Sequence, residues 1–302
     1  MPQHVAIQGF QGSFHEVAAR QYFGAAPALN FCATFGEVVA QVADGRADAA
    51  LMAMENSLAG SILPNYLLLE RAALTITGEV YLPIHQHLLV LPGTTLADVR
   101  MVHSHPMALR QCGDYLGQYP AWQLVETEDT GLSAQRLAER RTPGLAVIAG
   151  AQAAEAFGLE ILAPAINDDP NNYTRFLVLE RAAEATPVAQ PDKASLYFYT
   201  SHAPGMLAKV LTLVAGHGLN LSKLQSCPRP SQPWHYGFHA DVEFATAAQL
   251  AELLAELPTV TEELRVLGAY QRGSMEFGAE AVTETTPTAC HAELAEASLP
   301  QQ

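Results

Sequence analysis

The sequence predicts an α/β protein of two lobes, followed by a smaller domain of β-α-β-β-α-β order. Three observations carry this prediction. The 302-residue chain has the length of about two domains at ~150 residues each. Strand-like and helix-like segments alternate in two successive stretches, which is the grammar of β-α-β units and a mostly parallel sheet. An aperiodic segment with two prolines over 182–193 then reads as a linker, and the order of elements changes after it.

The elements follow in order. His4–Gln8 is a short apolar strand, and Ser13 is placed to cap a helix that runs to Phe23. Leu29–Thr34 is a second strand, leading into a helix over Phe35–Ala43 that stops near Gly45. The apolar run D-A-A-L-M-A-M stops abruptly at Glu55-Asn56-Ser57. The alternation restarts at Ile84, with I-H-Q-H-L-L-V-L as a strand. Then come a strand over Met101–Ser104, a helix over His105–Leu116 with Pro106 in its first turn, and a strand over Trp122–Val125. Leu132–Arg141 is helical and L-A-V-I-A is a strand. The second lobe is therefore expected at about 83–158, with L-E-I-L-A-P-A-I and T-R-F-L-V-L returning to complete the first.

After the linker, S-L-Y-F-Y is a strand, P-G-M-L-A-K-V-L-T-L-V a helix and L-N-L-S-K-L-Q-S a strand. H-Y-G-F-H-A-D-V-E-F, a helix over 247–256 and a strand near 263–269 complete the order of a ferredoxin-like domain at 194–270. The tail at 271–302 has no Lys or Arg beyond Arg272 and five Glu among Thr, Pro and Ala, so it is expected to be disordered.

Composition excludes several classes of function. The net charge is −15, and the 16 Lys and Arg form no basic stripe, so neither nucleic acid nor an anionic membrane is an expected partner. No apolar run reaches the ~20 residues of a membrane span. The first residues lack the basic and apolar regions of a secretion signal, so a cytoplasmic location is expected. The four cysteines are far apart and show no metal or redox spacing, nor is there a paired histidine motif. No G-x-G-x-x-G, phosphate loop or G-x-S-x-G elbow is present, so neither a cofactor nor serine hydrolase chemistry is expected.

Ligands of open α/β sheets bind at the carboxyl ends of strands, so the loops directly after apolar runs are the places to look. Four of these are polar: Gly9-Phe10-Gln11-Gly12-Ser13-Phe14, Glu55-Asn56-Ser57 with Gly60, Ser104-His105-Pro106-Met107-Ala108-Leu109-Arg110-Gln111-Cys112, and Asn172-Tyr173-Thr174-Arg175-Phe176. Each taken alone also fits a capping or salt-bridging role. Together, in this order and these contexts, they resemble the prephenate dehydratase family, and the resemblance covers roughly 3–269.

The resemblance implies a periplasmic-binding-protein-like catalytic domain at 1–181, with a regulatory ACT domain at 194–270. It implies decarboxylating dehydration of prephenate to phenylpyruvate in phenylalanine biosynthesis, with no cofactor and no metal. It makes Thr174 the catalytic residue, a positioned donor to the leaving oxygen. The substrate dianion is expected to be bound by Arg175 through its fork of donors, with Phe176, Asn172, Glu55, Asn56, Ser57, Ser104, His105 and Ser13. Glu55 is expected to orient Arg175 or another donor rather than to touch substrate.

His15 stands where the family usually has Ser. Phenylalanine is the implied effector, at Pro204, Gly205, Met206, Leu207, Gln225 and Ser226, with pairing of ACT domains giving a homodimer or homotetramer. Here Gln225 and Cys227 replace a Glu and an Arg, removing both charges from that segment. The alternatives are an arogenate dehydratase, whose substrate carries an amino group in place of the keto group, and a non-catalytic two-lobed binding protein.

Overall fold

The first lobe grows from β1 (His4–Gln8), α1 (Phe14–Phe23), β2 (Ala28–Cys32), α2 (Phe35–Ala43), β3 (Ala49–Asn56), the two-residue β4 (Gly60–Ser61), α3 (Leu63–Arg71) and β5 (Leu74–Pro83). This is a computed structural model that describes residues 3–25, 27–229 and 232–274. Ser13 and Thr34 cap α1 and α2 through the N–H groups of Glu16 and Glu37, as short hydroxyl side chains do at helix starts. Six consecutive residues of β3 are buried, because helices cover both faces of this strand.

Two elements escape the sequence reading: α3, and β5, which buries Leu74 and Ile76 in one core cluster and Val80 and Leu82 in another.

The second lobe holds β6 (His87–Val90), β7 (Met101–Ser104), α4 (Pro106–Arg110), α5 (Gly113–Gly117), β8 (Gln123–Glu126), α6 (Thr130–Arg140), β9 (Leu145–Ala149), α7 (Ala151–Phe157) and β10 (Glu160–Ala163). Its sheet order is β10-β6-β9-β7-β8. The segment expected to return to the first lobe instead closes the edge of the second, with Ile161 opposite Leu89. The expected single helix over 105–116 is broken between α4 and α5 at Gln111 and Cys112.

The chain returns as β11 (Tyr173–Arg181), giving the first sheet the order β2-β1-β3-β11-β5. Both sheets are mixed rather than mostly parallel. A strand arriving from the other lobe enters at the carboxyl ends of its neighbours and has to run against them. So β11 is antiparallel to β3 and β5, with Thr174 opposite Asn56, and β6 is antiparallel to β9 and β10. The two crossing segments lie side by side, with Ile84 N–H donating to Asn172 O (2.7 Å) and Ile166 N–H to Gln86 O (2.8 Å).

The third unit comprises β12 (Lys193–Tyr199), α8 (Met206–Gly216), β13 (Asn220–Pro228), β14 (Tyr236–Glu243), α9 (Ala247–Glu256) and β15 (Glu263–Tyr270), in the predicted β-α-β-β-α-β order. Its antiparallel sheet runs β13-β14-β12-β15. One face packs on both helices through Leu196, Phe198, Val210, Val214, Leu250 and Leu253. The other face joins the core of the first lobe, where Tyr197, Tyr199, Leu267 and Tyr270 meet Tyr66, Leu69, Ile76 and Leu177. The unit is thus docked on the first lobe by a shared apolar core.

The tail expected to be disordered lies outside the described residues beyond Ser274. Among the described residues, no helix is long and apolar enough to cross a membrane.

Candidate active site

The carboxyl ends of β1, β3 and β9 and the start of β11 converge where the lobes meet. On one side, the Gly9–Ser13 loop of the first lobe reaches the starts of α6 and α7 in the second. Gly12 has φ +78°, and a Cβ there would lie 2.8 Å from the Ala153 backbone, so this approach requires glycine. Asp129 sits at this junction, capping α6 through Leu132 N–H at 2.9 Å. Burial raises its carboxyl pKa against the pull of the Leu132 and Gly131 N–H groups. Ser13 is buried and spends its side chain on capping α1.

On the other side, a chain of amides bridges the lobes. Asn56 Nδ2 donates to Asn172 Oδ1 (2.6 Å), Tyr173 O (3.0 Å) and Thr174 Oγ1 (3.1 Å). Its Oδ1 accepts from the N–H groups of Leu58 (3.1 Å) and Ala59 (2.9 Å), which fixes the amide orientation. Gln111 reaches in from the break between α4 and α5. It accepts from Asn172 Nδ2 at 3.0 Å and donates to Asn56 Oδ1 at 3.4 Å. Because Asn56 is the donor, Thr174 Oγ1 is the acceptor in their bond, and its own proton remains available to a group in the cleft.

Ser57 staples the same corner: its Oγ donates to Asn171 O (3.0 Å) and accepts from Tyr173 N–H (2.9 Å). Sequence reasoning passed over Gln111 and Asp129. Gln111 was visible in the S-H-P-x-A-L-x-Q-C run, and Asp129 as the cap of a helix.

Phe176 lies on the same face of β11 as Thr174. It is buried against His15, with ring centroids 5.0 Å apart, and His15 also meets Phe35 at 5.5 Å. Burial lowers the His15 pKa to about 4, so the imidazole is neutral, and its Nε2 has no hydrogen-bond partner among the described residues.

Two expected substrate contacts, Arg175 and Ser104, are corrected. Arg175 is only 3% exposed and faces away from the cleft, toward the third unit. Its Nε donates to Glu79 (2.7 Å), its Nη1 to Asp241 (2.5 Å) and Glu55 (3.3 Å), and its Nη2 to the Tyr270 hydroxyl (3.1 Å). The reason is strand alternation: Thr174 points into the cleft, so the next residue points to the opposite face. Glu55 meets Arg175 on that opposite face. Ser104 is fully buried and its hydroxyl donates to Ile148 O at 2.6 Å, which ties β7 to β9. His105 is exposed, and its Nδ1 accepts from Met107 N–H at 3.2 Å as the cap of α4.

On the third unit, Pro204, Gly205, Met206 and Leu207 line a groove of about 510 Å³ with Phe238 and Tyr236. The expected partners Gln225 and Ser226 are not among its lining residues; Gln225 Nε2 donates to Ser226 O at 2.8 Å. Among the described residues, no three His, Cys, Asp or Glu side chains form a metal-holding group.

A family model for prephenate dehydratase matches residues 5–184. Among characterised relatives, the bifunctional chorismate mutase/prephenate dehydratase of Escherichia coli (strain K12) is 33% identical over 274 residues. That match takes in 88% of this chain and 70% of the relative. Arogenate dehydratase/prephenate dehydratase 1 of Arabidopsis thaliana is 34% identical over 281 residues, covering 88% and 71%.

Two solved structures superpose with a TM-score of 0.81. One is a prephenate dehydratase from Arthrobacter aurescens in complex with L-Phe (29% identity, 89% of this chain and 90% of that one). The other is GqqA, described as a novel type of quorum quenching acylase (34% identity, 89% and 98%). The amide-bridged cleft, the order of its four loops and these matches lead to one conclusion: the chain belongs to the prephenate dehydratase family.

Proposed function

We propose that this protein converts prephenate to phenylpyruvate, water and carbon dioxide at the junction of the two lobes, as a hydro-lyase of phenylalanine biosynthesis. The observation that supports this best is the Thr174 hydroxyl, which is held as an acceptor by Asn56 and has its proton free. In the reaction the ring carboxylate leaves as CO2, and its bonding pair becomes part of the aromatic ring. The hydroxyl on the opposite ring carbon leaves with a proton as water. Thr174 O–H donates to that leaving oxygen. A threonine hydroxyl is a weak acid, so its contribution is a pre-aimed hydrogen bond that strengthens as negative charge grows on the oxygen.

With Arg175 turned away, neutral donors hold the substrate: Gln111, His105, His15 and the backbone around the start of α1. Asn56 and Asn172 hold Thr174 and join the lobes over the substrate. Aromatisation supplies the driving force, and a cleft that needs only hydrogen-bond donors suits a substrate whose charge is lost as the reaction proceeds.

The third unit, residues 194–270, is read as an ACT regulatory domain that binds phenylalanine in the groove beside Pro204–Leu207 and pairs with a second copy of the chain. The L-Phe complex of the Arthrobacter relative supports the effector, and the groove's lining of Met206, Leu207 and Phe238 suits an aromatic side chain. A cytoplasmic site of action accords with the pathway.

Arogenate is the competing substrate, since characterised relatives carry that name. Acylase chemistry is disfavoured, because Ser104 is bound to Ile148 O and His105 to Met107 N–H, so these neighbours form no nucleophile–base pair. The test is product formation by purified protein from prephenate, from arogenate and from an acylated amine, with and without phenylalanine. Phenylpyruvate from prephenate, suppressed by phenylalanine, is expected. Phenylalanine formed from arogenate alone, or release of an acyl group alone, would replace this reading.

A further inference from the structure

Strand alternation places two cross-strand pairs side by side and back to back. Asn56 and Thr174 are register partners on the cleft face of β3 and β11. Their chain neighbours Glu55 and Arg175 are register partners on the opposite face. The third unit meets this second pair with a cross-strand pair of its own, Lys223 on β13 opposite Asp241 on β14.

The four charges alternate along a chain that runs Lys223, Glu55, Arg175, Asp241. Lys223 Nζ donates to Glu55 and, at 2.8 Å, to Ser61 Oγ; Arg175 Nη1 bridges Glu55 (3.3 Å) and Asp241 (2.5 Å). Asp241 is held further by Ser195 Oγ at 2.6 Å, and Arg175 by Glu79, which Lys193 neutralises at 3.0 Å. Burial would raise the Asp241 carboxyl pKa, but Arg175 and Ser195 more than reverse this and hold it below the ordinary value.

The strand that supplies Asp241 also reaches the groove. Tyr236 and Phe238 of β14 line it, and Phe238 is three residues from Asp241, about 10 Å along a strand. Phe238 is paired with Ser226 on β13, three residues from Lys223. One two-stranded ribbon therefore carries the groove at one end and the charge pair at the other.

We infer that Lys223 and Asp241 are positioning residues for the reaction in the cleft. They hold Glu55 and Arg175, and thereby the adjacent Asn56–Thr174 pair, in its reactive register, and the groove acts on turnover through this chain of charges. The inference rests on the reading of prephenate as substrate and phenylalanine as effector. A mutant cycle measures this coupling.

The experiment compares wild type, Lys223→Gln, Lys223→Arg, Glu55→Gln and the Lys223→Gln/Glu55→Gln double variant as full-length protein. Lys223 lies at the rim of the network, so its neutralisation leaves the fold intact, which circular dichroism and the melting midpoint check. Lys223→Gln is expected to lower kcat five- to tenfold, with KM changed less than twofold, and to weaken inhibition by phenylalanine at least fivefold. Lys223→Arg restores at least half of kcat. The double variant is no worse than the weaker single.

Values for Lys223→Gln within twofold of wild type, additive losses, or a rise in KM alone would overturn the inference. If wild type fails to consume prephenate, the functional reading falls, and hydrogen exchange judges the charge chain separately. Faster exchange at amides 55–57 and 173–175 in Lys223→Gln supports positioning, and unchanged exchange overturns it.

Discussion

Asn56→Asp changes one NH2 group to oxygen at nearly constant volume, and the geometry makes its consequence severe. The Asn56 amide donates toward Asn172 Oδ1, Tyr173 O and Thr174 Oγ1. A carboxylate donates to none of them, and a buried acceptor left without a donor costs about 1–3 kcal/mol. Thr174 turns its proton onto the new carboxylate. To serve the leaving oxygen it must break a hydrogen bond to a charged group, worth about 1.5–3 kcal/mol.

The added charge also meets a dianionic substrate. At ~5 Å and an effective dielectric constant of ~20, one like-charge pair costs about 3 kcal/mol. The catalytic part alone comes to about 4–6 kcal/mol, or a loss of kcat/KM of about 10³–10⁴-fold. The assay is phenylpyruvate formation from prephenate near pH 8, with circular dichroism as the check on folding. A folded Asn56→Asp protein with kcat/KM within tenfold of wild type would refute the claim that this amide aims Thr174.

Other predictions follow from the same geometry. Thr174→Ser keeps the hydroxyl and retains kcat within about tenfold, whereas Thr174→Ala loses at least ~10²-fold, the usual worth of one proton-donating group. Arg175→Met leaves Glu79 and Asp241 undercompensated and lowers stability by about 3–5 kcal/mol in urea titrations. KM for prephenate changes less than threefold, whereas a cleft-facing arginine would raise it strongly.

Stability falls as the pH is lowered from about 6.5 to 4. Burial between Tyr66 and Tyr197 lowers the His239 pKa from 6.5 to about 4, so in this window the unfolded chain binds a proton that the folded chain does not. The loss amounts to about 3 kcal/mol at 1.36 kcal/mol per pH unit, and His239→Phe flattens that part of the stability profile. His15 contributes in the same direction.

Much of the fold was legible because its signals are local. The cap at Ser13, the apolar run of β3 and the β-α-β-β-α-β order after residue 193 are each written in neighbouring residues. The errors are of tertiary origin. The destination of β10 depends on pairing with β6, a strand 70 residues away (Glu160 opposite Val90), and no local pattern records it. The break at Gln111 was hidden by an otherwise helical sequence, yet it is what lets that side chain reach Asn56 and Asn172.

The four loops of the site were found through their motifs, and Thr174, Asn56 and Asn172 do converge. Arg175 misled because a motif conveys neighbourhood along the chain but not facing. One residue of strand parity sends it to partners such as Asp241, 66 positions on. Its charge identified an important residue, but the face it occupies makes it part of the contact with the third unit.

The most direct test of the central claim is the product balance of prephenate incubated near pH 8 with wild type and with Thr174→Ala at equal concentration. Wild type is predicted to release phenylpyruvate and CO2 in equal amounts, and the folded variant to do neither above the uncatalysed rate by more than a small residue. Equal turnover by the two proteins, or none by wild type, would contradict the assignment of this cleft and of Thr174.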